Sequence, residues 1–360
     1  MDYKDIIKGI KENNKEVKCS AGNYIDSLLK PPGSLGVLEE TAIKLAAISG
    51  SVKNDYEKKL ILIFASDNGV VKEGVASAPK EVTAIQVGNF LKGVGGVSVL
   101  AKSAGADIKV IDIGVDAHLD IEGLYHHKIQ MGTNNLKEED AMTIKEAELS
   151  IQKGIDMVFE AYESGYQMIG TGEMGIGNST TSSLLLTALT DESLEKTVGK
   201  GAGLSDDMFK HKKKVINEAL GRYDDKTKDP LKLLTRFGGF DIGALIGVYL
   251  GCAYLKIPVV VDGFIAGVSA VMAYRINPLV KDYMLLSHRS LEPGFKIVEE
   301  ILEMEAPLNM KMRLGEGTGC ALMFKIIDSA MAMVNHMGQL GDHNIDQSTL
   351  VDIREESDFR

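Results

Sequence analysis

In this 360-residue sequence the residues best suited to chemistry are two glutamates set among glycines. Glu173 lies in Thr171-Gly172-Glu173-Met174-Gly175-Ile176-Gly177-Asn178-Ser179-Thr180-Thr181. Glu316 lies in Met312-Arg313-Leu314-Gly315-Glu316-Gly317-Thr318-Gly319. Glycine neighbours leave a carboxylate accessible and permit backbone conformations that other residues resist. Such a carboxylate can accept a proton or balance a developing positive charge. A nearby helix start lowers its pKa and apolar burial raises it, and the spacing leaves both open. The Glu173 segment follows an apolar run and leads into Leu184–Leu189. Its glycines let backbone N–H groups approach an anion at a helix start; a tight turn capped by Ser or Thr gives the same pattern. For Glu316, which precedes an amphipathic helix over Cys320–Met337 with Gly338 as its cap, the plainer role is that of a capping residue.

Two further segments carry polar chemistry. Val198-Gly199-Lys200-Gly201-Ala202-Gly203 alternates glycine before a helix and suits a phosphate, though an ordinary turn explains it as well. His211-Lys212-Lys213-Lys214 falls within that helix. Consecutive residues there point about 100° apart, so one or two at most can face a site, and a solvated basic face is the simpler reading. Gln86 and Asn89 share a helical face after the loop Gly74–Lys80, where they can bond a heterocycle or water. His288 reads as a structural histidine. There is no H-E-x-x-H, C-x-x-C, G-x-S-x-G or P-loop pattern, so no metal site is expected.

These segments need a frame to position them. Apolar runs at 60–65, 108–113, 167–170 and 257–261 end in Gly, Asp or Asn and alternate with helical stretches, and a further short strand is read at 283–286 before His288. That rhythm predicts an α/β fold with a parallel, Rossmann-like sheet flanked by helices. In such sheets ligands sit beyond the carboxyl ends of the strands, where the glutamate and glycine segments fall. A large α/β domain is expected over 57–300. A small helical domain is expected from 1–56 plus 301–360, carrying the Glu316 loop. The stretch 119–139 reads as an irregular excursion from the sheet, and Asp342–Arg360 as a fraying end.

Composition narrows the function. The formal net charge of −11 argues against non-specific nucleic-acid binding. Three cysteines without close spacing fit a reducing compartment. The longest uncharged apolar run, Ile242–Leu255, is short for a membrane span and suits a core helix. With no secretory signal at Met1–Asp5, a soluble cytoplasmic protein is expected. The first strand ends in Ser66-Asp67-Asn68-Gly69 without G-x-G-x-x-G, which argues against a nicotinamide-dependent oxidoreductase.

Taken together, KPPGSLG (30–36), the region 66–86, GTGEMGIGNSTT (170–181), VGKGAG (198–203), GGFDIGALIG (238–247), IPVVVDGFI (257–265), SHRSLEPG (287–294) and MRLGEGTG (312–319) resemble the nicotinate-nucleotide–dimethylbenzimidazole phosphoribosyltransferase family. The resemblance covers about residues 27–340. It implies transfer of phosphoribose from nicotinate mononucleotide to 5,6-dimethylbenzimidazole or a related base, in cobalamin nucleotide-loop assembly, with no cofactor. It implies that Glu316 is the general base and that Glu173 lies near the reacting groups. Gln86 would line the base pocket. Gly175, Gly177, Gly201, Gly203, Lys212, Gly263, Ser290 and Gly315 would contact substrate. The family is homodimeric. This chain has Asn68 where the family usually has histidine, and Ala78 where some members have a small hydroxyl residue, so the accepted base is left open. A degenerate homologue that binds or senses lower-ligand bases is the alternative.

Overall fold

Side chains alternate along the strand β1 (Lys59–Ser66) between two apolar cores. Leu60, Leu62 and Phe64 enter one; Ile61, Ile63 and Ala65 enter the other. A strand covered on both faces needs this continuous apolar run. The structure, a computed structural model, describes residues 1–343, 345 and 350–354; the rest of the polar C-terminal stretch lies outside the described residues. Around β1 are β2 (Ala106–Gly114), β3 (Tyr125–His126), β4 (Met168–Met174), β5 (Val259–Val261) and β6 (Met284–Leu286). Among the described residues they form one six-stranded sheet in the order β3-β2-β1-β4-β5-β6, with every pairing parallel. This is the expected α/β, Rossmann-like architecture. The order reverses between β1 and β4, so the connections leaving these neighbours diverge and open a crevice at their carboxyl ends.

One face is covered by the helices Ile144–Glu163, Phe240–Leu255 and Phe264–Ile276, with Tyr3–Gly9 packed beside them. The run Phe240–Ala253 is entirely buried, which makes the uncharged apolar segment a core helix. It approaches Ile144–Glu163 backbone to backbone: a Cβ on Gly154 would stand 1.9 Å from the Ala244 carbonyl oxygen, and one on Gly247 1.9 Å from that of Ile151. The other face is covered by Thr318–His336, Val37–Ser49, Glu81–Leu91 and Gly96–Ser103. By length and composition the apolar stretch Glu81–Ser103 could cross a membrane. It is folded as two helices broken around Gly93–Gly95.

Three expectations are corrected. The 119–139 stretch is not wholly outside the sheet: Tyr125–His126 pairs with Ile111 and Asp112 as its edge strand. β4 does not stop at Gly170 but continues to Met174, because Thr171–Met174 pair in register with Leu62–Ala65. Glu173 is therefore a strand residue at the crevice. The last long helix ends at His336, capped by Met337 in an extended conformation, so Gly338 is not its left-handed cap.

Candidate active site

A cavity of about 300 Å³ occupies the crevice. Its walls come from the segment after β1 (Val75–Ala78, Val82, Gln86), the end of β4 and its turn (Glu173–Ser179), Lys200–Ala202, the residues after β5 and β6, and Arg313–Glu316. Elements far apart in sequence thus meet at one end of the sheet.

The Glu316 loop is held by its backbone. Gly315, Glu316 and Gly317 have φ of +83°, +65° and +98°. For glutamate the left-handed region costs free energy and persists only where surrounding contacts impose it. Those contacts come from the sheet. The Asp262 carboxylate, just past β5, accepts the Gly317 amide at 3.0 Å and the Gly319 amide at 2.7 Å. It satisfies the first-turn Gly319 N–H of the helix Thr318–His336, which has no intrahelical partner, and pins the N-cap residue Gly317. Behind the loop, Gly172 leaves room for the Glu316 carbonyl oxygen, which would stand 2.5 Å from a Cβ there. Glu316 is therefore not a local cap; its side chain is turned into the cavity wall.

Glu316 is 6% exposed. Its Oε1 accepts from Gln86 Nε2 at 3.1 Å, and Asn89 Nδ2 donates to Gln86 Oε1 at 2.7 Å, orienting that amide. Oε2 has no hydrogen-bond partner among the described residues. Burial raises the Glu316 pKa; the Gln86 bond and the Val97 amide oppose this in part.

Glu173 sits on the opposite face of β4 from the Gly172 contact. Its Oε2 accepts from Asn178 Nδ2, which also donates to Asp241 Oδ2 at 3.1 Å. The Glu316 amide lies 3.4 Å from Glu173 Oε1, so the two glutamates are neighbours. Burial first, and then the Asp241 charge, push the Glu173 pKa up to about 8; Asp241 is raised by burial to about 6. At neutral pH Glu173 is therefore mainly the neutral acid. Asn68 is buried beside this network and accepts from Thr181 Oγ1 at 3.3 Å.

At the other end the glycine turns are fastened from behind. Gly201 N donates to Glu292 Oε1 at 3.0 Å. Lys212 Nζ donates to Ser179 Oγ and to the Gly199 carbonyl, both at 3.1 Å. Lys212 is fully buried, not part of a solvated face, while Lys214 projects to solvent. Burial lowers the Lys212 pKa to about 8, opposed by Glu292. Lys212 does not line the cavity; it lies one layer behind Ser179 and Gly201, which do. Gly175, Gly177, Gly263, Ser290 and Gly315 line it as well, whereas Gly203 lies outside its walls. Sequence reasoning passed over Asn178, Asp241, Asp262 and Glu292, although each stood within a quoted block. His288, read as structural, lines the cavity.

The cavity thus offers paired carboxyl groups at one end and backbone turns over a buried cation at the other. Comparison with known proteins agrees. A family model described as phosphoribosyltransferase matches residues 10–345. The chain is 45% identical over 352 residues to a nicotinate-nucleotide–dimethylbenzimidazole phosphoribosyltransferase of Clostridium perfringens, covering 98% of both chains. It is 46% identical over 341 residues to the enzyme of that name from Acetivibrio thermocellus, covering 95% of this chain and 97% of the other. The crystal structure of CobT from Thermus thermophilus superposes with a TM-score of 0.88 at 35% identity, covering 92% of this chain and 99% of that one. With its fold, its cavity and its sequence in agreement, the chain belongs to the nicotinate-nucleotide–dimethylbenzimidazole phosphoribosyltransferase family.

Proposed function

We propose that this chain transfers phosphoribose from nicotinate mononucleotide to 5,6-dimethylbenzimidazole or a related base, giving α-ribazole 5′-phosphate and nicotinate for cobalamin nucleotide-loop assembly. The observation that carries the site assignment is the pairing of Glu316 and Glu173 on one wall of the cavity. One base nitrogen attacks C1′ from the face opposite the pyridinium, the C1′–N bond breaks, and its electron pair leaves with nicotinate. The proton on the other base nitrogen passes to Glu316. Nicotinate departs from a cationic nitrogen and becomes neutral there, so it needs no proton. Its departure inverts C1′.

Positive charge spreads over C1′ and the incoming base in the transition state, and carboxylates fixed beside it stabilise it without reorganising. Glu173 by itself is mainly neutral at pH 7. A pyridinium cation beside it favours its ionised form, so nucleotide binding releases a proton from this site. The Gly175 and Gly177 amides and the Ser290 hydroxyl supply donors for the phosphate; Gly201, whose amide is given to Glu292, borders it, and Lys212 supports the turns from behind through Ser179 and Gly199. Gln86 orients Glu316 and borders the base.

A cytoplasmic homodimer belongs to the same proposal. The exposed apolar side chains Ile85, Val94, Val99 and Leu314 around the helix Gly96–Ser103 support a self-association face. A division into a large unit over 57–300 and a smaller one from 1–56 plus 301–360 belongs to the proposal as well. Packing of Lys15–Asp26 on Val37–Ser49, and of Val37–Ser49 on Thr318–His336, supports the division, although Tyr3–Gly9 lies on the other face of the sheet.

Incubating the protein with nicotinate mononucleotide and a panel of bases (dimethylbenzimidazole, benzimidazole, adenine, p-cresol) tests the reading. Nicotinate released only when a base is present, with a new nucleotide of matching mass, is the expected result. Nucleotide binding without release for any base would favour the sensor alternative.

A further inference from the structure

His288 is fully buried, lines the cavity, and has a ring nitrogen, Nε2, without a hydrogen-bond partner among the described residues. Buried polar atoms are rarely left in this state unless a ligand or water completes them. Its other nitrogen is engaged. Ser287 Oγ donates its one hydrogen to the Asp262 carbonyl oxygen at 3.1 Å, so it can only accept from His288 Nδ1, which stands 3.1 Å away. The Asp262 Oδ1 atom, 3.9 Å from Nδ1, favours a hydrogen on that same nitrogen. The hydrogen bonds therefore assign the neutral ring's proton to Nδ1 and leave Nε2 a bare acceptor. The ring cannot turn away, because Gly319 packs against the Ser287–His288–Asp262 cluster; a Cβ there would stand 2.1 Å from Nδ1.

The position of Nε2 selects the ligand group. It lies 3.4 Å from where a Cβ on Gly263 would be, and Ser290 Cβ lies 3.9 Å from that same point. Asp262 ties the same cluster to the Glu316 loop. His288 thus stands between the paired glutamates and the glycine turns. A lone-pair acceptor repels a carboxylate or phosphate and has nothing to offer an apolar ring edge; on nicotinate mononucleotide the ribose hydroxyls are the groups that carry a hydrogen for it.

We propose that His288 Nε2 accepts a hydrogen bond from a ribose hydroxyl of the bound nucleotide and so makes the site select ribonucleotides over deoxyribonucleotides. The inference rests on the phosphoribosyl-transfer reading for the identity of the nucleotide.

The test is calorimetric binding of nicotinate mononucleotide and its 2′-deoxy and 3′-deoxy analogues to the wild-type protein, H288L and H288Q. The wild type should bind one of the two analogues about tenfold or more weakly than the ribonucleotide, the effect of leaving a buried polar group unpaired. H288L should weaken the ribonucleotide to the level of that analogue and leave the analogue's affinity unchanged. H288Q, whose side-chain oxygen can stand near the Nε2 position, should recover part of the preference. A wild-type protein indifferent to both hydroxyls, or an H288L protein that keeps the wild-type ratio, overturns the proposal.

If the variants do not fold, the ¹⁵N spectrum of the wild-type histidines decides. One ring should show a bare Nε2 whose resonance moves when the ribonucleotide is added and not when the discriminated analogue is; no such ring refutes the assignment. Nicotinate release with the panel of bases separates the two readings. Selectivity through His288 without release sinks the reaction and keeps the inference. Release with an unchanged H288L ratio does the reverse, and no nucleotide binding at all sinks both.

Discussion

Replacing Glu316 by glutamine removes a proton acceptor and little else. Glutamine has the same shape, tolerates the left-handed backbone as poorly as glutamate does, and keeps an oxygen for the Gln86 bond, 3.1 Å long in the wild type. The Gly317 and Gly319 amides remain bound to Asp262, so the loop stays in place. Nucleotide and base affinities are therefore expected to change by less than about threefold, or ~0.7 kcal/mol. A positioned general base contributes ~10²–10⁴ in rate. At about 1.4 kcal/mol per decade the loss is about 3–5 kcal/mol in the barrier. Steady-state nicotinate release at saturating substrates should show E316Q lowering kcat by that factor with KM nearly unchanged.

The pH profile gives the sign. A base acts in its deprotonated form, so kcat/KM rises with pH through the pKa of Glu316. Burial places that pKa above the ordinary glutamate value of 4.5. This limb should vanish in E316Q, leaving only the one set by Glu173 nearer pH 8. If E316Q keeps kcat within about threefold of wild type, or retains the same acid limb, Glu316 is not the base.

Three other outcomes follow from the geometry. Glu173 has a folded-state pKa near 8 against an ordinary value of 4.5, so its contribution to stability is fully present below about pH 4.5 and is lost as pH rises to about 8. The wild-type melting temperature should fall across that window, and E173Q, which cannot ionise, should flatten part of the fall; identical pH curves would contradict the burial argument. Gly172→Ala sets a methyl group 2.5 Å from the Glu316 carbonyl oxygen. It should cost about 1–3 kcal/mol of stability in urea unfolding and displace the base, so a stable, fully active variant would show that the loop is not braced there. Lys212→Met removes the hydrogen bonds to Ser179 and Gly199. It should raise KM for the nucleotide while leaving affinity for the base alone unchanged, and an unaltered nucleotide KM would detach Lys212 from phosphate binding.

How well the sequence foretold the site depended on the kind of signal. Continuous apolar runs ending in Gly or Asp marked β1, β2, β4 and β5, because a doubly covered strand must be apolar on both faces. The two-residue β3 had no such signature, since an edge pairing of Tyr125 and His126 needs no buried run. Glycines around Glu316 announced an unusual backbone, and Gly315 to Gly317 take it with positive φ; the packing of Gly172 against the Glu316 carbonyl shows only in the fold. Lys212 was hidden within a basic run whose members look alike in sequence. The fold buries one of them behind Ser179 and leaves Lys214 in solvent.

The order of amino acids is enough to set the class of fold and to mark where along the chain the chemistry must lie. Both are written in local patterns: the period of apolar residues, and the glycines that end each strand. The protonation and orientation of the working groups are set only once the chain is folded. Glu316 is oriented by Gln86, 230 positions away, and its loop is held by Asp262, 55 positions away. Glu173 holds a proton because a dry wall, and then the Asp241 charge, surround it. His288 changes from an apparent structural residue to a bare acceptor because Ser287 and Asp262 claim its other nitrogen. The physical reason is that desolvation and hydrogen bonding act through space, between groups that the sequence places far apart.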